Sequence, residues 1–409
     1  MKHLFSRLSL GAASIFLAAS SYAYVDMNDR LETLENEMQE ISARNPQNTL
    51  GAGFTTSRPT TVGNNWFSTL SIIYWHPKMG GTEYAYTNTL DNIVFTVSRG
   101  PNQQTNTFTV QRPNPPHGDV KANDFGWDVG LKAGIGYKTP HDNWDVFARY
   151  TWINAEDTAT NRKDVPSIMI ALKSLSALIA GRVKSNVNID YNNIEVELAR
   201  AYFLSSKFSI RPHIDMKATW LDLEQNITYT FSDYRSTSFS GLDFKVKHDC
   251  KIWGLGPRAG IDGKVFVGNG FSLHGEIAGS ILYGYFKTRH KENWPLLQRS
   301  ETVTVGGKYY SIKDKFHQFI PFVQMFMGLG WDSFLNNDRQ HLSLKAGYEV
   351  QYYWRVNQMS NVDQSLSYST SSPITRANGF QNGGFRTNSQ KLSEDLMFYG
   401  ITGEVRLDF

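Results

Sequence analysis

Residues Asp395 to Phe409, which read DLMFYGITGEVRLDF, alternate between an apolar and a largely polar face. The apolar face carries every second residue from Met397 to Phe409, and the residues between them include Thr402, Glu404 and Arg406. A two-residue period is typical of a β-strand with two different environments. Because chain ends usually fray into water, a terminal Phe on the apolar face favours a closing strand that faces lipid. The stretch therefore predicts a transmembrane β-barrel.

The same alternation returns along the rest of the chain. It is clearest from Phe125 to Tyr137, where large apolar residues alternate with Gly, Asp and Lys. Similar strands are predicted within residues 66–74, 144–152, 210–220, 253–261, 271–285, 319–331 and 342–354. Aromatic residues recur near the ends of the apolar faces, as expected at the two lipid interfaces. The fold class is therefore all-β: an antiparallel up-and-down barrel of about 10 strands, within a range of 10–14, preceded by a short helix.

Connection lengths support this assignment, because short and long connections alternate. The short ones span residues 138–143, 205–207, 263–270 and 332–340, and the long ones span 77–124, 155–186, 223–246, 287–315 and 357–394. Outer-membrane barrels place short turns in the periplasm and long loops outside. Residues 83–87, 93–98 and 108–111 are predicted to form either extra strands or a hairpin within the first long loop.

The N-terminal region divides into three predicted segments ahead of the barrel at 66–409. Residues 1–23 read as a signal peptide, with Lys2 and Arg7 before an apolar run and a cleavage site after Ala23. Residues 24–44 are predicted to form a periplasmic helix, because apolar residues within 26–43 recur at heptad spacing. That seam favours a homo-oligomer, such as a trimer; the alternative is a single amphipathic helix against the barrel base. Residues 45–65 read as a linker.

Composition excludes several classes of protein. A mean hydropathy of −0.40 is incompatible with a helical bundle in lipid, whereas barrels keep a polar lumen. The net charge of +3, which falls to +1 without Lys2 and Arg7, gives no reason to expect a nucleic-acid partner. Cys250, the single cysteine, is expected to be a small buried side chain. The scattered histidines form no HExxH, GxSxG or CxxC pattern, so we expect no enzyme activity, cofactor or metal site.

The predicted lumen carries nearly balanced charge, which does not indicate selection of one ion sign. Its candidate lining residues are Asp128, Lys132, Asp145, Arg149, Arg211, Asp215, Lys217, Arg258, Asp262, Glu276, Lys345, Glu349, Glu404 and Arg406. Such charges either line a water-filled passage or pair and plug a narrow barrel. Inward glycines such as Gly130, Gly134 and Gly254 favour a passage, whereas Phe322 and Phe326 favour local filling. A helix within residues 165–183 is predicted to constrict the mouth or to cap the rim.

A resemblance to a known family makes the prediction more specific. The run Cys250 to Tyr285, CKIWGLGPRAGIDGKVFVGNGFSLHGEIAGSILYGY, together with residues 209–212, 218–221 and 71–75, resembles the Legionella-type major outer membrane proteins, which also occur in environmental chlamydiae. The resemblance covers most of residues 66–409 and implies a porin in the outer membrane of a Gram-negative-type bacterium. It also implies that the β-barrel assembly machinery reads the C-terminal strand, with Phe409 as its signal. Since this chain has one cysteine, disulfide links between subunits are not carried over.

Two functions are therefore predicted. The first is passive diffusion of small hydrophilic solutes and ions through the lumen. The alternative is a plugged or narrow barrel that serves as a surface adhesin or a structural outer-membrane protein through its long loops.

Overall fold

The computed structural model describes residues 65–99, 104–113, 115, 117–139, 144–174, 179–205, 207–231, 241–293, 297–300, 303–305, 309–335, 340–367 and 384–409. The predicted signal peptide (1–23), the predicted helix (24–44) and linker residues 45–64 lie outside this part of the chain. Within it, no helix is long and apolar enough to cross a membrane.

The described residues form nineteen strands, numbered here in chain order. They are β1 (Trp66–Met79), β2 (Ala85–Arg99), β3 (Gln104–Pro113), β4 (Val120–Lys121), β5 (Asp128–Lys138), β6 (Trp144–Arg162), β7 (Ser167–Ala171), β8 (Ile179–Arg200), β9 (Tyr202–Ser205), β10 (Phe208–Phe231), β11 (Asp243–Gly268), β12 (Phe271–Asn293), β13 (Leu297–Ser300), β14 (Val303–Val305), β15 (Tyr309–Leu335), β16 (Gln340–Asn357), β17 (Ser360–Ser367), β18 (Gly384–Lys391) and β19 (Glu394–Asp408).

Ten of these strands close into an antiparallel barrel, in the order β1, β5, β6, β8, β10, β11, β12, β15, β16 and β19. Closure is made by β1 and β19, which pair from Phe67 opposite Asp408 to Met79 opposite Leu396. Ring closure leaves no unpaired strand edge, which a spanning sheet requires because lipid offers no hydrogen-bond partners. The predicted fold class and strand number are confirmed.

The barrel has a short-turn end and a long-loop end, and both chain termini of the barrel lie at the short-turn end. Toward the long-loop end several strands run well beyond the predicted boundaries. For example, β10 and β11 remain paired up to Thr230 opposite Asp243, whereas the alternation in sequence fades near Leu223 and Val246. The reason is physical: an apolar outer face is needed only within lipid, while the hydrogen-bonded ladder continues into water.

Two predictions about the long loops have different outcomes. The segments in the first long loop form a hairpin, in which β2 and β3 pair from Leu90 opposite Pro113 to Arg99 opposite Gln104. The helix predicted within 165–183 is wrong: β7 occupies Ser167–Ala171, and β8 already begins at Ile179. Strand β7 pairs with both β2 and β8, so these tertiary hydrogen bonds override the local helical spacing.

The two faces of the strands have the predicted difference in exposure. On β1, Ile72 is 62% exposed on the outer face, whereas Ile73 and Trp75 on the inner face are fully buried. Outer-face aromatic rings contact one another at the borders of the apolar outer band, for example Tyr74 against Trp127 and Tyr283 against Phe319. These rings form the aromatic girdles expected at lipid interfaces.

Several inward glycines do not leave the open space that the sequence suggested. A Cβ atom on Gly136 would lie 2.1 Å from the ring of Phe67, and one on Gly134 would lie 2.5 Å from the ring of Phe147. At Gly130 the space is taken by Ile73 and by the backbone of β6. Large neighbours therefore occupy these gaps, and the glycines allow dense packing instead of a passage.

We predict that Gly136→Ala destabilises the folded barrel by about 1–3 kcal/mol, because the added methyl group overpacks the inner wall against Phe67. Gly403→Ala is the matched control, since a Cβ atom there meets no other atom within 4 Å. Urea unfolding of both variants refolded into lipid vesicles would measure the difference. Equal unfolding midpoints for the two variants would contradict this account of the inward glycines.

Candidate functional site

The lumen is the candidate functional site, and the described side chains divide it into four levels. From the short-turn end these are an open vestibule, a layer of paired charges, an apolar plug and a cap. The first three levels are built by inward side chains of several strands, because successive residues of a strand point alternately inward and outward.

The vestibule is a cavity of about 850 Å³ that opens at the short-turn end. Its wall combines the aromatic rings of Phe67, Phe147 and Phe266 with the cations Lys264 and Arg406. Lys264 pairs with Asp332 at 2.5 Å, and Arg406 pairs with Asp408 at 2.9 Å. Water can reach this level.

The charged layer begins at the base of the vestibule. All fourteen charged residues predicted to line the lumen lie on the inner face of their strands, and all but Asp128 form ion pairs with described residues. Asp128, at the start of β5, is only partly buried. The structure thus brings the other thirteen predicted residues into ion pairs and not into separated rows of one sign.

One ion pair in this layer joins an inward residue of β5 to an inward residue of β16. The Lys132 ammonium lies 2.6 Å from a carboxylate oxygen of Glu349, and both side chains are at most 4% exposed. Glu349 also accepts hydrogen bonds from Gln324, Gln351 and Thr402 at 2.7–3.1 Å. These donors complete the coordination of a carboxylate that water cannot reach.

Two carboxylates that the sequence analysis did not single out are central to the layer. Glu195 accepts from Arg149 and, at 2.8 Å, from Lys217, and Glu197 pairs with Arg211. Both lie on β8, where Ile194, Val196 and Leu198 are outward and 40–48% exposed. The alternation of these three residues with Asn193, Glu195 and Glu197 was the signal that could have identified them.

The guanidinium groups of Arg211 and Arg258 each bridge several acids. Arg211 contacts Asp145, Glu197 and Asp262. Arg258, whose side chain is fully buried, contacts Asp215, Glu276 and the amide oxygen of Gln324. Bidentate and bridging arginine contacts of this kind are the strong form of ion pair.

Among the described residues, two groups of side chains have a geometry that could hold a metal ion, and both include His213. Its ring nitrogens lie near the carboxylates of Glu197 and Asp215, and near those of Asp262 and Glu276. Each of these four carboxylates is already paired with Arg211 or Arg258. A metal would have to displace a guanidinium group, so the arrangement is a neutralised network and not a prepared metal centre.

The apolar plug lies next to the charged layer, toward the long-loop end. Nine of the ten barrel strands contribute to it. Its members are Ile73, Trp75, Met79, Phe125, Ile153, Ala155, Val187, Ile189, Tyr191, Leu221, Leu223, Cys250, Ile252, Leu282, Phe286, Ile320, Phe322, Tyr353, Val356, Met359, Leu396 and Phe398. Cys250 is fully buried here, as predicted.

Rings from opposite walls meet inside the plug. Tyr191 on β8 lies 5.1 Å, centroid to centroid, from Phe398 on β19 and donates or accepts a 2.8 Å hydrogen bond with Tyr353 on β16. A space of about 10 Å³ beside Leu221, Leu282 and Ile320 has room for at most one water molecule. The described side chains therefore fill the lumen at this level.

Residues 80–84 form a cap that crosses the long-loop end of the lumen. The cap starts beside β16 and β19, where the amide of Asn357 donates to the carbonyl oxygen of Gly80 at 2.8 Å. It reaches β10 on the far side, where Gln225 donates to the Thr82 carbonyl at 2.9 Å and the Tyr229 hydroxyl donates to the Tyr84 carbonyl at 2.7 Å. The cap is therefore fixed to both walls.

Burial changes the acidity of two loop groups in this region. Desolvation lowers the pKa of Lys173 to about 8, although the nearby carboxylates of Glu83 and Glu394 oppose the shift. Desolvation also raises the pKa of the Tyr84 phenol, whose oxygen accepts a hydrogen bond from Asn161. Both groups belong to a packed interior and not to a solvated channel entrance.

We predict that Lys132→Met destabilises the barrel by about 3–5 kcal/mol, because it leaves the buried Glu349 carboxylate without its cation. The double variant Lys132→Met, Glu349→Gln should recover most of this loss, since a glutamine amide can still bond to Gln324, Gln351 and Thr402. Urea titration in lipid vesicles would measure both. A double variant as unstable as Lys132→Met alone would show that the charge pair is not the cause.

Comparison with known proteins places the chain in a family. The family model described as "Legionella pneumophila major outer membrane protein precursor" matches residues 59–409. No match was found among curated proteins.

Solved structures with a similar fold include the outer membrane protease OmpT from Escherichia coli, with 8% identity and a TM-score of 0.40 over 87% of this chain and 100% of that one. A Pseudomonas aeruginosa FadL homologue matches with 9% identity and a TM-score of 0.27, over 84% of this chain and 90% of that one. The TodX deltaS2S3 mutant monoaromatic hydrocarbon channel matches with 9% identity and a TM-score of 0.30, over 85% and 91%.

These likenesses are too distant to carry an argument about function, whereas the family match covers the whole barrel. With its closed ten-stranded fold, the chain is an outer-membrane β-barrel protein and belongs to the family of the Legionella major outer membrane protein.

Proposed function

We propose that this protein is a closed barrel that serves the outer membrane as a structural and surface protein and not as a permanently open pore. The observation that carries the proposal is the apolar plug, which is built by the barrel wall itself. Movement of a loop cannot remove side chains that belong to nine barrel strands. The proposal assigns the chain no catalytic activity.

The free energy of wetting the plug supports this choice. Each large apolar side chain contributes about 1.5–3 kcal/mol when it is buried. Exposing even half of the 22 plug residues to water would cost more than the roughly 5–15 kcal/mol by which a folded protein is usually stable. A water-filled passage would therefore need a different arrangement of the wall.

The strands that extend beyond the membrane at the long-loop end form the part of the molecule that is accessible from outside the cell. On β10 the outward residues past Trp220 are Asp222, Glu224, Asn226 and Thr228, and the strand continues to Phe231. At about 3.4 Å per residue and a strand tilt of about 40°, this wall rises roughly 28 Å beyond the girdle. A rigid polar wall of this height supports a role in contacts outside the cell.

A gated porin is the second candidate, and the vestibule is the observation that favours it. A cavity of about 850 Å³ lined by charged and aromatic side chains gives solutes access from the short-turn end. Passage from there would require the plug and the cap to open.

We predict that refolded protein, residues 24–409, gives no discrete conductance steps in a planar bilayer and no swelling of sugar-loaded proteoliposomes. A matched variant replaces residues 80–84 with a Gly/Ser linker, which removes the cap but leaves the plug of wall side chains. Neither protein should give conductance steps or proteoliposome swelling. Heat-modifiable mobility on gels provides the control that each is folded.

Stable steps from the intact protein would overturn the closed-barrel proposal in favour of passive diffusion. Steps from the cap variant alone would identify a porin gated by residues 80–84. In either case the reversal potential in a salt gradient would show whether cations or anions pass preferentially.

A further inference from the structure

The outer wall carries a concentrated positive charge directly beyond one part of the aromatic girdle. On β12 and β15 the girdle is formed by Tyr283, Tyr285, His317 and Phe319, with the His317 ring 5.2 and 5.0 Å from the two tyrosine rings. The next outward residues toward the long-loop end are lysines on both strands. Aromatic side chains mark the level of lipid headgroups, so these lysines begin where hydrocarbon ends.

The strand register arranges the charges in rows across β11, β12 and β15. The three rows are Lys251–Lys287–Lys315, Asp249–Arg289–Lys313 and Lys247–Lys291–Ser311. We call six of these residues the basic patch: Lys251, Lys287, Arg289, Lys291, Lys313 and Lys315. Lys251, Lys287, Lys313 and Lys315 are exposed, and the other two are partly exposed.

Like charges face each other directly within the patch. Lys287 lies between Lys251 and Lys315, and Arg289 lies opposite Lys313. Like charges directly opposite each other on neighbouring strands destabilise a sheet. An anion bound beside these cations would offset the repulsion between them.

The described residues supply only part of the negative charge that such an offset requires. Lys251 pairs with Asp222, and the adjacent Lys247 pairs with Glu224 and Asp249. Among described residues, no carboxylate forms an ion pair with the five members of the patch on β12 and β15. Five cations that form no ion pair with another described residue therefore lie side by side on two adjacent strands.

The wall on β6 and β8 is different at the same height. Beyond the girdle residue Tyr150, this wall carries mainly Asn, Asp, Glu and Thr side chains, which bond to one another. Asn154 donates to Asn188, and Asn186 donates to Glu156 and Thr158. The basic patch is thus a local feature and not a general belt.

We propose that the basic patch binds phosphate groups of lipid headgroups in the outer leaflet of the membrane. The long-loop end faces outside in barrels of this class, which places the patch at that leaflet. Each Lys or Arg near an anionic lipid surface strengthens the electrostatic attraction between the protein and that surface. Arginine can also hold a phosphate through two parallel hydrogen bonds. One bound headgroup phosphate would relieve the repulsion between the facing rows.

The test uses the folded mature protein in detergent micelles, with bis-phosphorylated lipid A as the probe and native mass spectrometry as the readout. The variant Lys287→Gln, Arg289→Gln, Lys313→Gln, Lys315→Gln removes four charges of the patch. We expect it to bind the probe at least tenfold more weakly than the unmodified protein. Without lipid it should unfold at the same or a higher temperature, because the repulsion is gone.

The matched control removes four cations from the opposite wall, at the tip of the β6–β8 hairpin: Arg162→Gln, Lys163→Gln, Arg182→Gln, Lys184→Gln. These residues lie about 30 Å above the girdle, at about 3.4 Å per residue and a strand tilt of about 40°, so their loss should change binding less than twofold. Fully dephosphorylated lipid A should bind the unmodified protein as weakly as the four-charge patch variant binds the probe.

Four results would overturn the proposal: equal binding by the patch variant, an equal loss in the control variant, equal binding of dephosphorylated lipid A, or displacement of the probe by inorganic phosphate at equal concentration. The last result would indicate a site for free phosphate. Should the patch variant fail to fold, binding of the probe to the unmodified protein is measured at increasing sodium chloride concentration. Electrostatic attraction to phosphate must weaken as the salt concentration rises, so binding that does not change with salt would overturn the proposal.

Discussion

Closure of the hydrogen-bond ladder between β1 and β19 is the constraint on which the rest of the structure depends. Lipid cannot hydrogen-bond to a backbone group, so a spanning sheet must leave no edge. Pairing from Phe67 opposite Asp408 to Met79 opposite Leu396 removes the last edge. Closure with ten strands then sets the circumference, and it is small enough for rings on opposite strands to touch, as Tyr191 and Phe398 do.

A narrow lumen explains why charge and apolar bulk lie at different depths. A buried ion pair offsets the cost of its own desolvation only where additional hydrogen bonds complete the coordination of both ions. The layer around Lys132 and Glu349 meets this condition, and it lies next to the vestibule, from which water reaches its outer members. Farther along the axis the inward residues change to large apolar ones, which need no such partners and exclude water by packing.

The sequence was sufficient to predict the outward half of the barrel and much of its topology. Lipid imposes one requirement on every outward residue, so alternation such as that from Phe125 to Tyr137 is readable without a structure. Strand number and the order of short and long connections were accessible for the same reason, whereas the hairpin of β2 and β3 was one of two alternatives. The break of alternation in β1, where Ile73 and Trp75 are apolar on the inner face, was visible but ambiguous.

The state of the lumen could not be predicted in this way, because it depends on which inward residues meet. Lys132 and Glu349 are 217 positions apart, and balanced charge fits both an open lumen and a plugged one. Gly134 was misinterpreted since the ring that fills its space, Phe147, belongs to a neighbouring strand. In residues 165–183 a helical spacing was present, but hydrogen bonds of β7 to β2 and β8 decided the structure.

A filled lumen shifts the chemistry of the described chain to its outer wall, and that wall is not uniform around its circumference. On β6 and β8 polar side chains satisfy one another across the strands, as Tyr150 and Asn192 do at 2.6 Å. On β12 and β15 rows of cations face one another without carboxylate partners among the described residues. A surface whose polar groups already bond to one another gains little free energy from binding a ligand. A surface of facing cations gains the new contact with an anion and, in addition, loses its own electrostatic repulsion. The physical reason to expect binding is therefore strongest on β12 and β15, beside the girdle formed by Tyr283 and His317.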